Sequence, residues 1–249
     1  MDYFLKLDNI DLQTTFNCGQ CFRWNESKTQ NGVWTDGKTQ LKQEKDGIML
    51  LNIEKSNIPY WENYFAADTD YTALIKQFSQ DSTLEAACDF APGIRVLRQD
   101  PFETLISFII SQNNNIKRIT GIINKICTNN TFPTPNELSK LNLSEFGLGY
   151  RARYVSDAAK KVNSGEINLD EIQKMDYNRA KQELLKILGV GSKVADCVLL
   201  FGFNKYESFP KDVWIKRVLA EYYPNGLPSC ITGSEGIAQQ FLFHYIRSK

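Results

Sequence analysis

The stretch ELLKILGVGSKVADCVLLFGFNKYESFPKDVWIKR, residues 183–217, decides how the chain is read. It has the pattern of a helix, a tight hairpin and a second helix, followed by a loop that ends in a carboxylate. Leu184, Leu185, Ile187 and Leu188 give the helix before the hairpin an apolar side. Gly189 and Gly191 bracket Val190, and glycine turns a chain through backbone angles that a β-carbon resists. Ser192 is the expected N-cap of a helix over residues 194–201. Lys193 falls in the first turn of that helix, where the dipole's partial positive charge disfavours an ammonium ion. A neutral amine is what a nucleophilic lysine needs. Further on, Asp212 is the expected N-cap of a helix over residues 213–222.

The hairpin can do more than turn. The backbone N–H groups of Gly189, Val190 and Gly191 can approach a phosphate closely, at a helix N-terminus that favours anions. Taken singly, each feature has a plainer reading: a common helix connection, a solvated lysine, a helix cap.

Composition limits the alternatives. The chain has 249 residues, enough for a sizeable core and two or three subdomains. Lys and Arg number 29, as do Asp and Glu, so a nucleic-acid surface has to be local. The first residues, MDYFLKLDNI, do not read as a signal peptide, and the apolar runs are too short to span a bilayer. A cytoplasmic protein is expected. The six cysteines form one CxxC, at Cys18 and Cys21, without a second pair for zinc or an iron–sulfur cluster. The single histidine, His244, excludes most histidine-based triads and metal sites.

The fold class expected is α+β. Residues 1–80 read as a small antiparallel sheet with a helix. Alternation shows in QCFRW and GIMLLNI, and turns are marked at Asn31-Gly32, Asp36-Gly37 and Asp46-Gly47. Residues 60–77 have helical periodicity. Residues 81–249 read as mostly helical, with the hairpin motif at 184–201 and a last helix over 234–247. Asp100-Pro101 starts a helix, with proline at its favoured first position. Asn113, Asn114 and Asn115 either end one helix and begin another or offer polar groups to a duplex. In FGLGYRARYV, Gly147 and Gly149 make a turn that presents Tyr150 between arginines. That suits an aromatic wedge with guanidiniums beside it, or an ordinary helix start with the ring in the core.

Together GQCFRW (19–24), LRQDPFETL (97–105), NNNIKRI (113–119), LGYRARYV (148–155) and GVGSKVADC (189–197) resemble the 8-oxoguanine DNA glycosylase/lyase family, human-type branch. The similarity runs in order over nearly the whole chain. It implies an N-terminal antiparallel (TBP-like) sheet subdomain followed by a helix-hairpin-helix glycosylase region. It also implies damaged double-stranded DNA as partner, a monomer with no protein partner, and no cofactor. Carbonyls near Ile187 and Val190 could hold a structural cation at the hairpin. Lys193 would be the nucleophile and Asp212 its catalytic partner. Gly19, Gln239, Phe243 and Cys197 would bind the flipped lesion. Asn113 and Tyr150 would fill the gap in the duplex, and Arg118 and Arg151 would read the widowed cytosine.

The discriminating atom is N7, which carries a hydrogen in 8-oxoguanine and a lone pair in guanine. A carbonyl at Gly19 accepts the first and repels the second; the plainer reading of Gly19 is a strand-edge bulge. Two positions depart from the family. Trp214 stands where mammalian relatives carry a histidine that contacts a phosphate. Cys21 replaces a serine. Two other classes fit parts of the chain: an alkyl-purine glycosylase without lyase activity, against which Lys193 argues, and a non-catalytic DNA-binding module, which leaves Asp212, Gln239 and Phe243 without a purpose.

Overall fold

The computed structural model describes residues 1–248. Two compact units are formed, one from Met1–Arg98 with Lys211–Lys249 and the other from Gln99–Pro210, a grouping that cuts across the sequence boundary at residues 80/81. In the first, β1 (Tyr3–Lys6), β2 (Asn25–Glu26), β3 (Val33–Thr35), β4 (Gln40–Glu44) and β5 (Gly47–Leu51) make one antiparallel sheet, ordered β1-β5-β4-β3-β2. Glu44 faces Gly47 across the β4–β5 turn. A β-carbon at position 47 would lie 2.1 Å from the Leu5 carbonyl, so glycine is what lets β1 pair there.

Alternation puts Leu5, Leu41, Ile48 and Leu50 into a core with Phe16, Trp24, Trp34 and Trp61. Burying each such side chain contributes about 1.5–3 kcal/mol relative to exposure. Phe16, on α1 (Leu12–Asn17), stacks on Trp24 with centroids 4.7 Å apart. QCFRW is not a strand, because the ladder begins only at Asn25. Gln20 draws that segment away: its amide donates to the Thr15 and Arg95 carbonyls at 2.9 and 2.7 Å and accepts from Leu97 N at 2.8 Å.

Residues 60–77 do not form one helix. They divide between α2 (Ile58–Tyr64) and α3 (Tyr71–Phe78), and α4 (Ser82–Phe90) follows. The break lies at Ala66, whose φ is +49°, and Asp70 caps α3 by accepting from Ala73 N at 2.9 Å. At the break the Phe65 and Ala66 carbonyls accept from the buried guanidinium of Arg95, at 3.0 and 2.7 Å.

The second unit contains α5 (Pro101–Ser111), α6 (Ile116–Ile126), α7 (Pro135–Lys140), α8 (Arg151–Ser164), α9 (Leu169–Lys174), α10 (Tyr177–Leu185) and α11 (Ser192–Phe203). Asp100 caps α5 and Pro101 opens it, as the sequence predicts. Helices α5 and α11 form its centre, with Phe108 stacked on Phe201 at 5.4 Å. The first unit then closes with α12 (Val213–Tyr222) and α13 (Glu235–Ser248). Helix α13 packs on α4, and Phe241 meets Phe78 of α3 edge to face at 6.3 Å. Among the described residues, no helix is long and apolar enough to cross a membrane.

Candidate functional site

The helix before the hairpin stops at Leu185, earlier than its apolar pattern suggests. Leu184 and Ile187 are buried, but Leu185 and Leu188 are exposed. The reason is the turn itself: Leu188 N donates to Asp157 Oδ2 at 2.7 Å, and Val190 N donates to the Ile187 carbonyl at 3.0 Å. Gly189 has φ +79°, and a β-carbon there would lie 2.4 Å from the Tyr154 ring. We expect Gly189→Ala to cost about 1–3 kcal/mol in a urea titration, through backbone strain and the displaced ring, and to weaken binding to undamaged duplex.

Gly191, not Ser192, is the N-cap of α11; Ser192 is its first helical residue and faces Asp196 Oδ2 at 3.5 Å. Lys193 is half-buried in the first turn, its Nζ 5.2 Å from the centre of the Phe108 ring on α5. The amine therefore lies along an apolar surface of its own unit. Cys197, one turn further, is buried.

A second group forms between α5, α6 and α8 of this unit. The three asparagines divide the two roles the sequence allowed. Asn114 donates to the Ile110 carbonyl at 3.1 Å, ending α5, and Asn115 accepts from Arg118 N at 3.0 Å, capping α6. Asn113 has φ +46° and an exposed side chain that donates to the Tyr150 hydroxyl at 3.3 Å. Tyr150 is 46% exposed, so its ring is not in the core. Gly147 and Gly149 precede it with φ of +71° and +58°. Arg118 is exposed and donates to the Gly147 carbonyl at 3.0 Å. Arg151 differs: it is buried, and its guanidinium lies 4.5 Å from the Tyr150 ring centre. It donates to the carbonyls of Gln112, at 2.7 Å from Nε, and Asn113, at 2.8 Å. In this conformation it braces the turn that presents Asn113.

The remaining candidates belong to the first unit. Asp212 caps α12, accepting from Ile215 N at 2.8 Å, as expected. Trp214 is half-buried with the Arg217 guanidinium 5.0 Å from its ring centre. Cys21 is buried in the sheet core. Gly19 has φ +88°, and a β-carbon added to it would meet the Phe243 ring at 3.5 Å. The structure thus brings the Gly19 turn and Phe243 of α13 together. Gln239, one turn earlier on α13, is buried. Two neighbours escaped the sequence reading. The Arg247 guanidinium lies 5.8 Å from the Phe243 ring centre, and Gln240 is bonded to the Cys18 carbonyl at 2.9 Å. The helical spacing of Arg247 from Phe243 could have signalled the first; nothing in the sequence signals the second.

Comparison with known proteins agrees with this arrangement of a sheet unit and a hairpin-bearing helical unit. Residues 106–227 match the HhH-GPD superfamily of base excision DNA repair proteins. Residues 3–105 match the N-terminal domain of 8-oxoguanine DNA glycosylase. An N-glycosylase/DNA lyase of Saccharomyces cerevisiae is 33% identical, over 85% of this chain and 68% of its own length. Among solved structures, MBOgg1 in complex with a low-affinity DNA ligand is 36% identical with a TM-score of 0.91, covering 99% of this chain and 96% of that one. The Clostridium acetobutylicum 8-oxoguanine glycosylase/lyase, in complex with duplex DNA containing cytosine opposite 8-oxoG, is 33% identical. Its TM-score is 0.88, covering 100% of this chain and 98% of that one. The fold and hairpin define a helix-hairpin-helix base-excision repair protein, and the chain belongs to the 8-oxoguanine DNA glycosylase family.

Proposed function

We propose that this protein is a bifunctional DNA glycosylase and AP lyase that removes 8-oxoguanine paired with cytosine, acting as a monomer on duplex DNA. The observation that carries the reading is Lys193, set in the first turn of α11 directly after the GVG hairpin and laid against Phe108. The Gly189 and Gly191 N–H groups grip the backbone, the Val190 N–H being used on the Ile187 carbonyl within the turn, and a cation at the carbonyls near Ile187 and Val190 would add to that grip. The lesion leaves the stack at a cost of a few kcal/mol. Asn113 and Tyr150 fill the space it vacates, and Arg118 donates to the acceptor edge of the cytosine left behind. Arg151 holds these groups in register and reaches the cytosine only if it exchanges a carbonyl partner.

Cys197 and Phe243 offer faces to the purine and Gln239 its Watson–Crick partner, while the Gly19 carbonyl accepts the N7 hydrogen. A site built to pair such a group rejects the analogue lacking it by roughly 10⁴-fold in favourable cases. The nitrogen of Lys193 then forms a bond to C1′ as the bond to the base nitrogen breaks, the electron pair leaving with the base. Asp212 stabilises the positive charge that develops on the sugar and helps remove the amine proton. Opening of the sugar gives a Schiff base. Loss of a C2′ proton expels the 3′ phosphate and cuts the strand 3′ to the lesion.

Duplexes carrying 8-oxoguanine opposite each of the four bases, with and without borohydride, test the reading. Cleavage fastest opposite cytosine, with a trapped protein–DNA adduct, is expected; release of alkylated purines without an adduct would replace it with the monofunctional reading. Gln239→Ala should slow excision of 8-oxoguanine by about tenfold or more, the worth of one buried polar contact, and leave affinity for undamaged duplex unchanged. An equal loss on both would remove Gln239 from the reading role.

A further inference from the structure

We propose that Gln240 is a positioning residue for lesion discrimination: by binding the Cys18 carbonyl it fixes the turn from which the Gly19 carbonyl reads N7. The inference rests on the role given to Gly19 above and assigns this chain a residue outside the recognised motifs.

Gly19 sits in a left-handed backbone conformation, φ +88°, on a segment outside the sheet ladder. A carbonyl on such a turn keeps its direction only if both flanks are held. The following residue, Gln20, is 1% exposed and bonded to the Thr15 and Arg95 carbonyls and to Leu97 N. The preceding residue, Cys18, is fully buried. Its N–H is used within α1, donating to the Thr14 carbonyl at 3.0 Å, and its thiol donates to the Thr15 carbonyl at 3.1 Å. Its own carbonyl, the group that shares a peptide plane with Gly19 N, accepts from Gln240 Nε2 at 2.9 Å. Gln240 is 3% exposed and lies on α13 between Gln239 and the Phe241 anchor. One bond therefore ties the reading turn to the helix that carries both Gln239 and Phe243. Water cannot substitute for it readily, since donor and acceptor are both buried.

Positioning matters here because one base turns an N–H toward the carbonyl and the other a lone pair. A turn free to tilt loses part of the attraction to 8-oxoguanine and part of the repulsion of guanine. The chemistry at C1′ does not use the base's Hoogsteen edge, so strand cleavage at a site already lacking its base should not depend on Gln240.

The test compares wild type with Gln240→Met, which keeps the volume but loses the donor, and with Gln240→Ala. Single-turnover rates are measured on 8-oxoguanine opposite cytosine, on guanine opposite cytosine and on a preformed abasic site. Both variants should lower the 8-oxoguanine-over-guanine ratio by about tenfold, the equivalent of one hydrogen bond, with abasic-site cleavage within about twofold of wild type. Wild-type discrimination that survives in the variants overturns the inference and leaves the role of Gly19 standing. A wild type that does not discriminate at all overturns the role of Gly19 and the inference with it. Equal loss on all three substrates, in either variant, shows Gln240 to be a packing residue only and overturns the inference too.

Discussion

Lys193→Gln should abolish excision of 8-oxoguanine, by on the order of 10³-fold or more, and eliminate the borohydride-trapped adduct. Glutamine is one methylene shorter and stays polar, but its amide nitrogen lone pair is delocalised into the carbonyl and cannot attack C1′. Its amide can still lie along Phe108, where the lysine nitrogen is 5.2 Å from the ring centre, so α11 and the hairpin should remain intact. Binding to a lesion duplex, followed by fluorescence anisotropy, should therefore stay within about threefold of wild type, a change of well under 1 kcal/mol. Excision that persists in this variant would place the nucleophile elsewhere. Loss of DNA binding in proportion to activity would mean that the lysine serves the phosphate grip instead of the reaction.

The second large effect concerns stability. Arg95→Met should destabilise the first unit by about 3–5 kcal/mol in a urea titration. Arg95 is fully buried, and its guanidinium donates to the carbonyls of Asp8 at 2.6 Å, Phe65 at 3.0 Å, Ala66 at 2.7 Å and Thr69 at 3.2 Å. It also pairs with Asp8 Oδ1 at 3.0 Å and lies 4.2 Å from the Tyr71 ring centre. Burial opposes ionisation of Asp8, but bonds from Thr72 and the Arg95 pair outweigh it and hold that carboxyl below its usual range. Methionine fills the space and strands the Asp8, Phe65 and Thr69 carbonyls, whose desolvation is then uncompensated, while the Ala66 carbonyl keeps its bond from Thr69 N at 2.9 Å. A loss below about 1 kcal/mol would show that water or neighbouring groups take over these acceptors.

How far the sequence reached depended on whether a feature is local. The caps at Asp100 and Asp212 and the break among the three asparagines were legible, because a polar side chain three residues before a backbone N–H is a short-range geometry. The GVG turn was legible for the same reason, and its neighbours Leu185 and Leu188 were misread because helical periodicity does not register where a helix stops. QCFRW has a strand's alternation, yet Gln20 reaches across to residues 95 and 97, a long-range bond that no local pattern encodes. The break at Ala66 likewise depends on Arg95, 29 residues away. Arg151 shows the converse: arginine beside an exposed tyrosine suggests a DNA contact, while the fold spends its guanidinium on the carbonyls of Gln112 and Asn113.

The most direct test of the central claim is to trap wild-type protein on an 8-oxoguanine duplex with borohydride, digest the adduct and map the modified residue by mass spectrometry. The expected result is a single deoxyribose-derived mass on the peptide containing Lys193. A modification on any other lysine or on the N-terminal amine, or excision of the base with no adduct at all, would contradict the account.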